Sequence, residues 1–382
     1  MRRFLLIASS LFISFLSVTV LSVQAATLIP ATPKIKAKGY LLMDFNSGRI
    51  LAEKKSDQRM EPASLTKMLT SYVVSYELAS GNIKLSDMVT VSEKAWRMQG
   101  SRMFIEAGKK VSVEDLLKGI IIQSGNDATV ALAEYVAGSE DAFVSLMNQH
   151  AAELGMTDSH FMNSTGLPHK DHYTTPRDLA KLARALIRDF PEHYDWYSIK
   201  EFRYNNIKQY NRNRLLWRNK YVDGIKTGHT DSAGFCLVAS ALRDDMRLIS
   251  VVLGTKSDEA RSSESQKLLT YGFRFFETHR LYAANEPLTR AHIWKGAQEE
   301  LPLGLTEDLY LTIPKGQYKK LDANMNLDAR ITAPAKKGTT YGTVNITLGD
   351  QEYAKRELVA LTDIDKGSLF SNLVDEIKLL FE

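Results

Sequence analysis

Pro62-Ala63-Ser64-Leu65-Thr66-Lys67 opens a helix that runs to about Ala79, with Gly81 or Asn82 as its cap. Outward from it, residues 40–53 hold two apolar runs around Asn46-Ser47-Gly48, the pattern of a β-hairpin. Downstream, apolar periodicity predicts helices at about 112–122, 127–137, 141–154 and 175–190. Strand-like runs return at 234–241 and 248–253, with a helix near 259–281. Helices clustered in the middle and bracketed by strands predict an α+β domain. After about Pro287 the pattern changes to short alternating runs at 308–313, 327–331, 342–348 and 357–362, separated by Gly, Pro, Asp and Lys turns. Those predict a small all-β sandwich.

Composition agrees with two folded domains. The chain has 382 residues, 44% hydrophobic and 25% charged, which excludes a wholly disordered, collagen-like or coiled-coil protein. A lone cysteine, Cys236, excludes an internal disulfide framework and cysteine-built zinc or iron–sulfur sites. It sits in the apolar run Phe235-Cys236-Leu237-Val238-Ala239, so a buried core position is expected. The net charge of +4 includes Arg2 and Arg3; without them it is about +2, no footprint for nucleic acid.

Both ends of the chain carry their own signals. Met1-Arg2-Arg3, an apolar run over 4–23 and Gln24-Ala25-Ala26 form the order of a secretory signal, and Val23 and Ala25 fit small-residue cleavage with a mature start at Ala26. The alternative is an uncleaved anchor; either way the bulk of the chain is exported. In 367–382, Leu369, Phe370, Leu373, Val374, Ile377, Leu380 and Phe381 fall on one helical face. That helix either docks on its own domain or lies in a membrane interface.

Three short motifs carry chemistry. Ser64-Leu65-Thr66-Lys67 is the one S-x-x-K, and its spacing lets the Lys67 amine reach the Ser64 hydroxyl. A serine is a weak nucleophile until a base takes its proton, and a lysine serves only if burial or nearby cations lower its pKa. Alone, the motif is better read as a serine N-cap followed by a solvated lysine. Ser124-Gly125-Asn126 lies in the break between two apolar helices, where a loop can point into a cleft; the bland alternative is a capping box with Asp127, which would still hold the hydroxyl. The similar Ser80-Gly81-Asn82 is a decoy, since it lies at the far end of the Ser64 helix, roughly 24 Å away at 1.5 Å rise per residue. Lys226-Thr227-Gly228-His229 is the one K-T-G and follows the strand-like Tyr221-Val222-Asp223-Gly224-Ile225; a strand edge ending in glycine suits an extended peptide, and Lys226 and Thr227 offer donors to a carboxylate.

S-x-x-K, S-x-N and K-T-G in that order are the signature set of penicillin-recognising serine enzymes. The chain resembles the D-alanyl-D-alanine carboxypeptidases among low-molecular-mass penicillin-binding proteins of the type-5 group, from the signal to the terminal helix. The resemblance is carried also by Gln123-Ser124-Gly125-Asn126-Asp127-Ala128 and Asp223-Gly224-Ile225-Lys226-Thr227-Gly228-His229-Thr230. It implies a penicillin-binding, β-lactamase-like transpeptidase fold over 26–287 and a β-domain over 288–366, after a signal at 1–25 and before an amphipathic helix at 367–382 that contacts the membrane. It implies Ser64 as the acylated nucleophile, Lys67 as its base and Ser124 as a proton relay. Asn126 would hold the acyl-side amide, Lys226 would keep the site electropositive, and the backbone N–H groups of Ser64 and His229 would form the oxyanion hole. Arg261, in Ala260-Arg261-Ser262-Ser263-Glu264, matches the family arginine near the substrate's terminal carboxylate, beside Thr227 and Gly228. Peptidoglycan pentapeptide is the implied substrate, β-lactams the covalent inhibitors and the periplasmic face of the inner membrane the location. The acidic polar face of the terminal helix departs from the family's usual basic one.

No cofactor or metal enters this reading: His169 and His172 lack an H-E-x-x-H or a third ligand. The basic, aromatic stretch 200–221 reads as a positive wall beside the cleft, with Arg212 and Arg214 its residues to test. Two rival readings are a β-lactamase, which acylates alike but deacylates faster and for which no E-x-x-L-N is present, and a non-catalytic cell-wall scaffold, which has no need of the intact motif set.

Overall fold

The structure is a computed structural model describing residues 29–378; residues 1–28, on which the expected export signal falls, and residues 379–382 lie outside the described residues. The expected hairpin forms from β1 (Gly39–Asp44) and β2 (Ile50–Lys54). Two short hairpins follow, β3 (Met88–Thr90) with β4 (Lys110–Ser112) and β5 (Glu201–Tyr204) with β6 (Ile207–Tyr210). β7 (Val222–Thr230), β8 (Gly234–Arg243) and β9 (Met246–Thr255) complete an antiparallel sheet ordered β2-β1-β9-β8-β7. Its central strands are apolar throughout because both faces are covered, and successive side chains alternate between two cores. Leu41, Met43, Val238, Ile249 and Val251 enter one core; Tyr40, Leu42, Ala239, Leu248 and Val252 enter the other. Cys236 is fully buried on β8, where its thiol takes a hydrogen bond from the Gly254 N–H at 3.4 Å.

The first core is closed by helices, among them α1 (Thr66–Ala79), α2 (Glu93–Trp96), α3 (Val113–Lys118), α4 (Asn126–Ala137), α5 (Glu140–Glu153) and α6 (Pro176–Asp189). α6 starts as its sequence requires: Thr175 Oγ1 accepts from Asp178 N–H at 3.1 Å, with Pro176 in the first turn. After α7 (Pro191–Tyr194), α8 (Leu215–Arg218) and α9 (Asp258–Phe275) cover the second core. The helix expected near 259–281 stops at Phe275, and Phe276–Tyr282 is instead strand β10. Gly272 lies within the last turn of α9 and stays helical, so it does not mark the change; β10 is extended because it pairs with a distant strand.

That partner is β13 (Leu309–Pro314), introduced after β11 (Pro287–His292) and β12 (Glu300–Gly304). With β14 (Leu321–Leu327), β15 (Thr340–Leu348) and β16 (Gln351–Ala360), a second sheet forms in the order β11-β12-β16-β15-β14. The two sheets share a core of Leu301, Leu303, Leu311, Ile313, Val344, Ile346 and Leu358, the expected all-β sandwich. A strand at 327–331 is not found: β14 lies upstream, an edge strand largely exposed and held by its backbone ladder to β15, so it needs no apolar alternation. A polar cluster joins this module to the first domain. Thr278 Oγ1 donates to buried Asp44 Oδ2 at 2.7 Å, Ser47 and Thr312 hydroxyls lie 2.6 Å apart, and Arg49 Nη1 donates to the Thr312 carbonyl at 2.7 Å. α10 (Leu369–Lys378) ends the described chain.

Candidate active site

Ser64 sits in a 3-10 turn, Ala63–Leu65, immediately before α1 rather than in the α-helix itself. Ala63 adopts φ 49° to make that turn. Lys67 is one turn along, fully buried, with Nζ 3.1 Å from Ser64 Oγ. It donates to Asn126 Oδ1 at 2.7 Å and to the Thr165 carbonyl at 2.6 Å. Burial above all, partly offset by the carboxylate of Asp127 and aided by Arg212, brings its pKa from 10.5 down to about 7. A neutral amine has two N–H bonds and one lone pair. With both N–H bonds given to Asn126 and Thr165, the lone pair faces the Ser64 hydroxyl.

Gly166 explains how the turn fits. At φ +87° it packs so closely that an added Cβ would stand 1.9 Å from the Ala63 carbonyl oxygen. From the other side β7, the sheet's edge, brings Gly228 against the same turn, where a Cβ would come within 2.9 Å of the Pro62 oxygen. Lys226-Thr227-Gly228 therefore lies within the strand, with Lys226 and Thr227 buried and His229 exposed. Burial, then Lys67, Arg212 and Arg261, hold the Lys226 amine well below its ordinary pKa.

Ser124 is 2% exposed and left-handed, φ 68°, at the end of a π-helical turn over Gly119–Gln123. The alternative capping box does not form. Asp127 turns away and accepts from the N–H groups of Met103 and Phe104 at 2.8 Å each, pinning the neighbouring loop. Asn126 is fixed by its Nδ2, which donates to the Gln99 carbonyl at 2.5 Å. Ser80 is the C-cap residue of α1, as the decoy reading requires.

Ser64, Ser124, Thr227, Gly228, His229 and Arg261 line one cleft of about 530 Å3. Arg261 donates from Nη1 to the Gly228 carbonyl at 3.2 Å, pairs with Asp258 and lies over the Phe235 ring at 5.7 Å. Arg212 and Arg214 also line the cleft; Arg212 donates to the Gln123 carbonyl and Arg214 pairs with Asp258 at 2.5 Å. This is an electropositive cleft holding a serine beside a lysine whose burial favours its neutral form.

Comparison with known proteins now decides the family. A model described as D-alanyl-D-alanine carboxypeptidase matches residues 26–257, and one described as penicillin-binding protein 5, C-terminal domain, matches 276–366. The chain belongs to the D-alanyl-D-alanine carboxypeptidase family. It is 46% identical over 363 residues to D-alanyl-D-alanine carboxypeptidase DacA of Escherichia coli (strain K12), covering 93% of this chain and 90% of that one. Penicillin-binding protein 5 from Haemophilus influenzae superposes with a TM-score of 0.86 at 43% identity, over 88% of this chain and 100% of that structure. Penicillin-binding protein D2 from Listeria monocytogenes, in its ampicillin-bound form, matches with a TM-score of 0.59 at 28% identity, over 64% of this chain and all of that one.

For this hydrolase family member, the structure brings every sequence-predicted site residue to one cleft or to its floor. Sequence reasoning missed Thr165, Gly166 and the loop-pinning role of Asp127. Asp127 was visible beside Asn126, but Thr165 and Gly166 carry no local signal: their importance comes from a contact about a hundred residues away in sequence.

Proposed function

We propose that this enzyme removes the terminal D-alanine from peptidoglycan pentapeptide stems through an acyl-enzyme on Ser64. The observation that carries the proposal is the buried Lys67 amine, lowered to about 7 and 3.1 Å from Ser64 Oγ. Neutral Lys67 takes the hydroxyl proton as Oγ attacks the penultimate carbonyl carbon. The oxyanion is held by the N–H groups of Ser64 and His229. The C–N bond then breaks, with the proton passing through Ser124 to the leaving D-alanine amine. Water repeats the sequence in reverse order of roles, restoring Ser64 and releasing the shortened stem. Asn126 holds the acyl-side amide, and Lys226, Thr227 and Arg261 face the terminal carboxylate. β-Lactams, which mimic the same amide, stop at the acyl-enzyme.

The division into 1–25, 26–287, 288–366 and 367–382 belongs to the same proposal, with β10 joining the two folded domains through β13. So does a periplasmic location after signal removal. Among the described residues no helix is long and apolar enough to cross a membrane. The terminal helix supports a peripheral contact: Leu369, Leu373, Val374 and Ile377 are exposed, while Asp375 accepts from the Lys295 N–H at 2.7 Å and Glu376 pairs with the Lys295 amine at 3.1 Å. Its acids are thus turned onto the β-domain and its apolar side outward.

Intact-protein mass spectrometry of the mature chain with benzylpenicillin tests the reaction. One long-lived adduct on Ser64, with D-alanine released from a pentapeptide, is the expected result. An intact drug with no adduct removes the mechanism in favour of a scaffold. Rapid loss of the drug without an adduct makes it a β-lactamase.

A further inference from the structure

A groove of about 1150 Å3, larger than the catalytic cleft, lies on the other side of the first turn of α9. It exceeds the roughly 300–1,000 Å3 of a single small-ligand site. Consecutive residues divide the two spaces: Asp258 lines the cleft and pairs with Arg214, whereas Glu259 lines the groove and pairs with Arg218 at 2.6 Å. Glu259 is the groove's single acid. Opposite it stand the exposed cations Lys220, Arg243, Arg274 and Lys315. Lys220 and Arg243 both lie over the half-buried Tyr221 ring, at 5.0 and 5.5 Å, and Arg274 lies over Phe275 at 5.5 Å. These rings hold the cations against the wall while leaving their charge facing solvent. A chain of such small net charge concentrates this much positive charge in one groove, next to its reaction site.

We propose that the groove is a second binding site for an anionic peptide-bearing glycan, namely a neighbouring stretch of the polymer whose stem ends enter the cleft. The inference rests on the proposed function for the identity of that polymer. Stem peptides carry carboxylates that the groove's guanidinium and ammonium groups recognise. The partly buried Tyr221 and Phe275 add apolar surface to the groove wall for the sugar rings. A polymer held across the Asp258–Glu259 boundary raises the local concentration of stem ends at Ser64 with no added contact in the cleft.

The test compares a polymeric with a small substrate, using full-length mature enzyme and the variant Lys220→Glu/Arg243→Glu/Arg274→Glu. Purified cell-wall sacculi and a soluble D-Ala-D-Ala tripeptide serve as the two substrates, with co-sedimentation on sacculi measured separately. The expected result is about a tenfold loss of D-alanine release from sacculi at low salt, weaker co-sedimentation, and an unchanged rate on the tripeptide. Equal rates on sacculi overturn the proposal, and so does an equal loss on both substrates, which would place the effect in the cleft. Unchanged sacculus turnover with lost binding to phosphatidylglycerol vesicles would make the groove a lipid contact and also overturn it. Inactivity of the unmodified enzyme on the tripeptide would count against the proposed reaction alone, because co-sedimentation still reads the groove. If the triple variant misfolds, Arg243→Gln/Arg274→Gln carries the same comparison.

Discussion

The two domains treat buried charge in opposite ways. Around the cleft, Lys67, Asp127, Lys226 and Arg261 are all nearly removed from solvent, whereas beyond Phe275 the buried polar residues described are Thr312 and Gln317. Burying an ionisable group costs several kcal/mol unless partners compensate it, so the first domain must hold its charges with a sheet packed on both faces and with close backbone contacts at Gly166 and Gly228. The β-sandwich carries no such burden. The contrast teaches that the first domain bears buried charge, at the cleft and also at Asp44, Asp178 and Glu264, while the second domain is held by ordinary apolar packing.

The strongest way to break that contrast is Ser64→Ala. It should abolish the penicillin adduct and lower D-alanine release by roughly ten-thousand-fold, read by mass spectrometry and amino-acid analysis, while leaving the fold intact. Next comes Gly166→Ala. Its methyl cannot coexist with the Ala63 carbonyl at 1.9 Å, so the serine turn must shift, and a displacement of about 1 Å there costs on the order of a hundredfold in acylation rate. An unchanged rate would show that the turn is not held from below.

The pH profile sharpens the same point. Lys67 acts as base in its neutral form, so acylation should fall about tenfold per pH unit below about 7 and level off above it. A profile flat from pH 5 to 9 would remove Lys67 from that role. For folding the sign is the reverse of a usual ion pair: the folded pKa lies below 10.5, the unfolded chain binds more protons between about 7 and 10.5, and this residue's contribution to stability therefore rises with pH across that window. The smallest effect belongs to the domain junction. Thr312→Val removes the hydroxyl contacts to Ser47 and Thr278 and should lower stability by about 1 kcal/mol in denaturant titration, with the acylation rate unchanged.

Much of this was legible beforehand because it is local. The hairpin at Asn46-Ser47-Gly48, the periodicity of α4 to α6 and the three motifs depend on neighbours in sequence, and the motifs collected in one cleft. What escaped depends on distant partners. β10 follows α9 without a breaker because β13 calls it into a ladder, and the polar edge strand β14 is defined by its backbone alone. At the site, Asp127 found partners at Met103 and Phe104 instead of capping its own helix, and Thr165 and Gly166 acquire meaning only once α1 is laid over them.

Cys236 has a practical consequence. It is the chain's one thiol, it has no exposed surface, and burial pushes its pKa up to about 11, so at neutral pH almost none of it is the reactive thiolate. The folded enzyme is therefore silent toward maleimide dyes and spin labels as it stands. A new cysteine placed at the groove, on β14 or along α10 would be the sole labelled position, and a pair of them would let distances between groove and terminal helix be followed spectroscopically without first removing a native residue.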